Sequence, residues 1–168
     1  MHTYIALLRS VNVGGTAKLP MSDLARMCRD IGFEAVRTYI ASGNVIFNTD
    51  MSPEAARVSL EERLYEYCGK MIRVHIRTPD ELSAIITGNP FAQAEGNKVV
   101  AFFLDKQPEE PAPLTGQKDE EISAGTREFY VHYPSGIGRS KLVLPGSDQG
   151  TARNINTLTK LLEISRTP

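Results

Sequence analysis

The chain has 168 residues, of which 41% are hydrophobic, and 19 basic and 20 acidic side chains leave a formal net charge of −1. This length suffices to bury a hydrophobic core without disulfides or a structural metal, and the balanced charge excludes a general attraction to nucleic acid or to anionic membranes. No apolar run approaches the roughly 20 residues that cross a bilayer. A strand pattern that begins near Tyr4 argues against a signal peptide, so we expect a cytoplasmic protein.

The N-terminal third of the chain predicts a strand, a helix and a hairpin. Thr3–Leu8 is mostly apolar, as in a buried strand. After a polar loop, Ser22 is expected to cap a helix whose apolar residues recur at three- and four-residue spacing, and Gly32 ends it. Gly43 and Asn44 then predict a two-residue hairpin turn, because both residue types tolerate positive φ.

A second helix and a fourth strand follow. Ser52 and Pro53 are expected as its cap and first residue, and Gly69 ends the helix. The stretch "MIRVHI" then alternates apolar and polar residues, which predicts a strand. The order β-α-β-β-α-β is that of the ferredoxin-like split βαβ unit, and we predict such a subdomain over residues 1–77.

Residues 78–168 predict a smaller, less regular α/β subdomain packed against the first, which makes the whole chain an α+β protein. Thr78–Glu81 combine a capping box with a proline at the first helical position. Lys98–Leu104 is a continuous apolar strand, Asp105–Glu121 is expected to be an exposed loop rich in proline and acid, and a hairpin follows. Residues 151–165 predict one terminal helix. The order α-β-β-β-α is open to interpretation as a degenerate second copy, although no sequence repeat supports it.

The loop after the first strand is the first candidate for an anion site. Gly14 and Gly15 offer backbone N–H groups, and Arg9 and Lys18 offer positive charge. The loop is not a phosphate-binding P-loop, because the lysine is not followed by serine or threonine. The simpler interpretation is a turn that needs positive φ at one glycine.

Two further candidate loops lie in the C-terminal half. "GIGRSK" is a weak nucleotide fingerprint but a plausible basic loop, with Arg139 and Lys141 on either side of Ser140. In "TARN", Thr151 or Asn154 is expected to cap the last helix and Arg153 to lie near its N-terminus, where the helix dipole disfavours a cation. Either Arg153 points into solvent, or a bound anion or a carboxylate from elsewhere in the chain offsets its charge.

The sequence gives little support for other kinds of functional site. The histidines stand far apart in sequence, which argues against a zinc site, and no Gly-x-Ser-x-Gly nucleophile is present. The aromatic and basic signature of an RNA-recognition motif is missing. Cys28 and Cys68 fall on the apolar sides of predicted helices, so we expect two buried thiols and neither a disulfide nor a metal site. We expect no cofactor, and no residue identifies the protein as an enzyme.

Three stretches, "YIALLRSVNVGGTAKLPMSDL", "VRTYIASGNVIF" and "TARNINTLTKLLEI", resemble the bacterial family called domain of unknown function 1697. The resemblance covers essentially the whole chain. It implies a cytoplasmic bacterial protein with an α+β fold, and no particular reaction. Two departures stand out, since Ser10 replaces the family's usual glycine and "VLPGSDQG" is shorter than the expected helical stretch. The family's motifs fall on Arg9, Asn12, Gly14, Gly15, Ser42, Gly43, Asn44, Ser140, Lys141, Leu142, Thr151, Arg153 and Asn154.

From these observations we predict that the three loops converge on a cleft between the subdomains and bind an anionic ligand, such as a nucleotide or another phosphate compound. The alternative is a protein-interaction or structural module without a small ligand. A nucleic-acid binder acting through the basic C-terminal half is less favoured. The sequence leaves the oligomeric state open. The expected ligand contacts are Arg9, Asn12, Gly14, Gly15, Lys18, Ser42, Asn44, Arg139, Ser140, Lys141, Arg153 and Asn154.

Overall fold

The computed structural model describes residues 1–14, 18–110 and 114–168. These residues form two compact units, Met1–Leu82 with Leu161–Pro168, and Ser83–Lys160. Each unit holds one four-stranded antiparallel sheet, which confirms the predicted α+β class. The division into subdomains at residues 1–77 and 78–168 stays a prediction.

The first unit contains the predicted β-α-β-β-α-β order. Its elements are β1 (His2–Leu8), α1 (Met21–Asp30), β2 (Glu34–Thr38), β3 (Asn44–Thr49), α2 (Pro53–Cys68) and β4 (Val74–Arg77). Across the sheet the strands lie in the order β2-β3-β1-β4, with every neighbouring pair antiparallel, so β3 lies between the two strands that α1 connects. This arrangement is compatible with the ferredoxin-like split βαβ unit.

Both helices pack on one face of this sheet. Their buried residues, among them Leu24 and Leu60, contact the β1 side chains Tyr4, Ala6 and Leu8 in one apolar cluster. Ser52 caps α2 as predicted, because its Oγ accepts a hydrogen bond from the third residue of the helix at 3.1 Å. The inward face of each helix is therefore the one that the spacing of apolar residues indicates.

Two local predictions in this unit are wrong. Ser22 does not cap α1, because the carbonyl of Pro20 already accepts hydrogen bonds from the N–H groups of Asp23 and Leu24, and the helix begins at Met21. Gly43 and Asn44 do not form a two-residue turn either. The hairpin loop spans residues 39–43, and Asn44 is the first residue of β3. Its buried amide donates to the carbonyl of Tyr39 at 3.0 Å, which requires the longer loop.

The next helix, α3 (Pro79–Thr87), begins with the predicted capping box. The backbone N–H of Thr78 donates to Glu81 Oε1, and the N–H of Glu81 donates to Thr78 Oγ1, both at 3.1 Å. The reciprocal pair satisfies two N–H groups that the helix leaves without intrahelical partners.

The second unit repeats the strand order of the first. Its elements are β5 (Val99–Phe103), β6 (Glu121–Ala124), β7 (Glu128–His132), a 3₁₀ turn (Ile137–Arg139), β8 (Thr151–Asn154) and α4 (Ile155–Ser165). Across the sheet its strands lie in the order β6-β7-β5-β8, which corresponds to β2-β3-β1-β4 when each set is numbered along the chain. Where the first unit has α1 and α2, the described parts of the second, residues 104–110, 114–120 and 133–150, contain no α-helix. The interpretation as a degenerate copy thus holds at the level of topology.

Three predictions for this half need correction. "TARN" is not helical, since Thr151–Asn154 pairs antiparallel with β5 and α4 begins only at Ile155. The order is accordingly α-β-β-β-β-α. The acidic connection is not wholly exposed, because Glu120 is buried. Leu114 and Leu142 from the two irregular connections pack on the sheet beside Phe102, so these connections cover its face as helices do in the first unit.

Within residues 1–14, 18–110 and 114–168, we find no helix with both the length and the hydropathy that crossing a membrane requires.

Candidate functional site

The side chain of Asn12 joins the loop after β1 to the hairpin loop before β3. Its Nδ2 donates to the carbonyls of Leu19 and Ala41, and its Oδ1 accepts from the N–H of Leu19, all at 2.7 Å. We call the residues held together in this way the loop junction: residues 9–14, 18–20 and 39–43. Two of the sequence motifs therefore meet in the first unit. Gly15 lies outside the described residues.

The backbone is strained at the loop junction. Ser10, Asn12 and Ile40 have φ values of 53°, 57° and 51°, and among the described residues only one other non-glycine, Ala35, has positive φ. Isoleucine rarely adopts this conformation, because its branched Cβ is crowded there. Such residues persist only where the surrounding structure holds them, and they cluster at functional sites. Here the Asn12 hydrogen bonds hold them.

Close packing explains the glycine of the hairpin loop. Gly43 has a φ of 87°, and a Cβ added to it would lie 2.6 Å from Val11 Cγ2 and 2.8 Å from Leu8 Cβ. Its carbonyl also accepts the N–H of Leu8 at 2.9 Å. Only glycine allows the two chains to approach this closely.

The loop junction is cationic and partly apolar. Arg9 donates through its backbone N–H to the carbonyl of Arg73, and Lys18 is exposed. Neither residues 9–20 nor residues 39–43 contain a carboxylate. Val13 and Ile40 are 56% and 49% exposed. The N-terminus of α1 adjoins the loop and carries no side-chain cap, so the positive end of the helix dipole faces the same region.

The polar candidates of this unit already make local hydrogen bonds. Asn44 Nδ2 donates to Ser42 Oγ at 2.8 Å and to the carbonyl of Tyr39, and Asn12 holds the loops as described. These bonds order the loop junction. Direct contacts from Asn12, Ser42 and Asn44 to a ligand stay a prediction.

In the second unit, Ser140 anchors the basic loop. Its Oγ donates to Glu120 Oε1 at 2.8 Å, and the N–H of Lys118 donates to Glu120 Oε2 at 2.6 Å. The hydrogen bond from the Lys118 backbone, with the one from Ser140, lowers the pKa of Glu120, because both stabilise the carboxylate. Arg139 and Lys141 are exposed on either side of this anchor.

Arg153 does not point into solvent. It lies on β8 with 8% of its surface exposed, and its Nη1 donates to Thr151 Oγ1 at 2.8 Å and to the carbonyl of Ala152 at 2.9 Å. Burial lowers its pKa to about 10, because desolvation disfavours the charged form. Of the two predicted caps of the last helix, Asn154 is the one that caps α4, because its Oδ1 accepts the N–H of Thr157 at 2.8 Å, whereas Thr151 begins β8.

Sequence reasoning missed a related group in the first unit. The alternation of apolar and polar residues over positions 72–77 puts His75 and Arg77 on the polar face of the predicted strand, but the structure buries both, at 2% and 3% exposure. Arg77 and Arg153 each lie on the fourth strand of their sheet, opposite Ile5 and Ala101 respectively. No signal in the sequence separates a buried arginine on an alternating strand from a solvated one.

The predicted ligand residues thus divide between the two units, and their convergence on one cleft stays a prediction. In the first unit lie Arg9, Asn12, Gly14, Lys18, Ser42 and Asn44; in the second lie Arg139, Ser140, Lys141, Arg153 and Asn154.

Comparison with known proteins gives a family and a fold. A model of the family described as "Protein of unknown function (DUF1697)" matches residues 1–130. The solved structure of the conserved bacterial protein SP0830 from Streptococcus pneumoniae is similar to this chain, with a TM-score of 0.75 and 20% sequence identity over 98% of each chain. No curated protein matches the sequence. At this identity the structural likeness speaks for the fold alone.

Proposed function

The chain belongs to the DUF1697 family of proteins of unknown function, and from that premise we propose that it binds an anionic, phosphate-containing ligand at the loop junction. One observation carries the proposal: a strained backbone, held by the three Asn12 hydrogen bonds, stands beside the cations Arg9 and Lys18. Neither of the two loops contains a carboxylate. Strain of this kind costs about 1–3 kcal/mol per residue, and a binding site is one reason for a fold to retain it.

The groups at the loop junction match the parts of a nucleotide. Lys18 and the first two N–H groups of α1, which precede those that donate to Pro20, provide charge and hydrogen bonds for phosphate oxygens, and Arg9 adds a second cation. The exposed side chains of Val13 and Ile40 provide an apolar contact for a base. A nucleoside phosphate uses both kinds of group, whereas inorganic phosphate uses only the first.

Thermal shift and titration calorimetry at low salt test this proposal. We expect nucleoside phosphates to raise the melting temperature more than inorganic phosphate does, since a ligand at 100 times its Kd adds about 2.7 kcal/mol to the stability. Lys18→Gln should weaken binding about tenfold. Lys106→Gln removes another exposed lysine, in the second unit, and should leave the affinity for the ligand unchanged.

Two results would overturn the proposal. One is the absence of stabilisation by inorganic phosphate, pyrophosphate and the common nucleotides at millimolar concentration. The other is an equal loss of affinity in the two lysine variants, which would indicate a diffuse charge effect and no site at the loop junction.

A further inference from the structure

The outer face of α2 carries an apolar groove that the inward packing of this helix does not use. The groove has a volume of about 540 Å³, and its exposed apolar side chains are Val58, Tyr65 and Met71, at 38%, 53% and 62% exposure. A helix that only faces solvent on its outer side carries polar residues there. Contiguous apolar residues framed by charges mark a contact surface for another protein.

The charges around the groove are mainly acidic. Glu62 and Glu66 lie on the same helical face as Val58, at spacings of four and eight residues. The one cation of the groove, Arg57, is paired along the helix with Glu54 and Glu61. Its charge is therefore already balanced. Glu66 lies 3.9 Å from Arg63, which also pairs with Asp30, so the carboxylates of the groove still exceed its cations. The groove therefore favours a partner that combines apolar side chains with positive charge.

The second unit of the same chain presents such a segment, residues 137–143, which we call the basic strip. Ile137 and Val143 are 45% and 52% exposed, and Arg139 and Lys141 are exposed between them. No carboxylate interrupts the segment. The basic strip thus places two cations between two apolar side chains, and the α2 groove places Glu62 and Glu66 among apolar side chains.

The basic strip is ordered before any partner arrives. Ser140 is anchored to Glu120, the N–H of Val143 donates to the carbonyl of Thr115 at 2.9 Å, and Leu142 packs against the core. A segment that is already ordered loses little conformational entropy on binding.

The dimensions of the two surfaces also agree. Val58 and Glu66 are about 12 Å apart along the axis of α2. In the basic strip, the three residue steps from Ser140 to Val143, which follow the 3₁₀ turn, span at most about 11 Å. We propose that the α2 groove of one copy binds the basic strip of a second copy, so that the protein self-associates in solution.

Light scattering and sedimentation over a range of protein concentrations, in low and high salt, test this inference. We expect the wild type to reach at least twice the mass of one chain as concentration rises, and to dissociate in high salt, where exposed charges are screened. A groove variant, Glu62→Lys with Glu66→Lys, and a strip variant, Arg139→Glu with Lys141→Glu, should each self-associate at least tenfold more weakly. Mixing the two variants should restore association, because opposite charges again face each other.

The control is Glu95→Lys with Glu109→Lys, which makes the same charge change at two exposed positions outside both surfaces and should associate as the wild type does. The inference fails if the wild type stays monomeric at every concentration, in which case another partner occupies the groove. It also fails if the mixture stays monomeric, or if the control dissociates as readily as the groove variant. Circular dichroism of each variant establishes that it is folded.

Discussion

Replacing Asn12 tests whether its side chain holds the loop junction together. Asn12→Ala removes three hydrogen bonds of 2.7 Å and leaves an alanine at a φ of 57°. A hydrogen bond contributes roughly 0.5–1.5 kcal/mol net, and Asn12 is exposed, so the three together contribute about 2 kcal/mol. The left-handed conformation costs alanine roughly 1–2 kcal/mol. We expect Asn12→Ala to lower the free energy of unfolding by about 3–4 kcal/mol.

Asn12→Gly separates the two contributions, because glycine lacks the amide but adopts positive φ freely. Asn12→Gly should therefore lower the free energy of unfolding by about 2 kcal/mol. Urea unfolding followed by circular dichroism gives both values, and hydrogen exchange of the Leu19 amide, which donates to Asn12 Oδ1, reports the loop junction directly. Asn97→Ala, at an exposed turn position, should change stability by less than about 0.5 kcal/mol. The role of Asn12 would be refuted if Asn12→Ala lost no more stability than Asn97→Ala and its Leu19 amide exchanged as slowly as in the wild type.

Four further predictions rest on single contacts. Gly43→Ala should lower the free energy of unfolding, measured in a thermal melt, by about 3 kcal/mol, because its Cβ would lie within 3 Å of two side chains at a φ of 87°. A stability equal to that of the wild type would show that the two loops move apart to accommodate the added methyl group. Thr78→Ala should lower the free energy of unfolding in urea by about 1 kcal/mol through loss of the capping box, and an unchanged midpoint would contradict this. The lowered pKa of Glu120 implies stability that is present above the usual carboxyl value of 4.5 and lost as the pH falls through the lower folded value. The melting temperature of Glu120→Gln should therefore fall less than that of the wild type as the pH is lowered over that range. Parallel curves of melting temperature against pH would show that protonation of Glu120 does not affect stability. Burial raises the pKa of Cys28 to about 12, so mass spectrometry after alkylation at pH 8 should find it unmodified in the native protein and modified in urea; rapid native labelling would contradict its burial.

Elements with their own start and end signals were predictable from the sequence. The helix after Ser52 and the capping box at Thr78 depend on residues within one turn of each other, so neither needs tertiary information. The same holds for the strand at Val99–Phe103, whose apolar run admits no exposed face. The order of these elements then sufficed to predict the first sheet.

The predictions that failed depended on contacts with distant residues. Residues 151–154 contain no apolar pattern that marks a strand, and they become β8 because β5 supplies backbone partners for them. Asn44 was expected to tolerate positive φ in a turn, but its buried amide satisfies the carbonyl of Tyr39 from within β3. Propensity is a weak guide wherever tertiary contacts decide.

For the candidate site, the sequence identified the motif residues but not how they are used. It indicated that the loops containing Asn12 and Ser42 were special, and the structure shows them hydrogen-bonded into one strained assembly. The α2 groove had no precedent in the sequence reasoning. Its residues at positions 58, 62 and 65 carry no recognisable motif. Only the packing of the opposite side of α2 on the sheet shows that these three residues do not contribute to the core.

The shared strand order of the two sheets has an evolutionary consequence. One sheet reaches this order through helical crossovers and the other through irregular chain, so the pairing of strands tolerates either kind of link. Insertions and deletions between β5 and β6, or between β7 and β8, should therefore accumulate among relatives faster than changes in the lengths of α1 and α2. The second half of the molecule is in that sense the part whose connections are freer to vary in length.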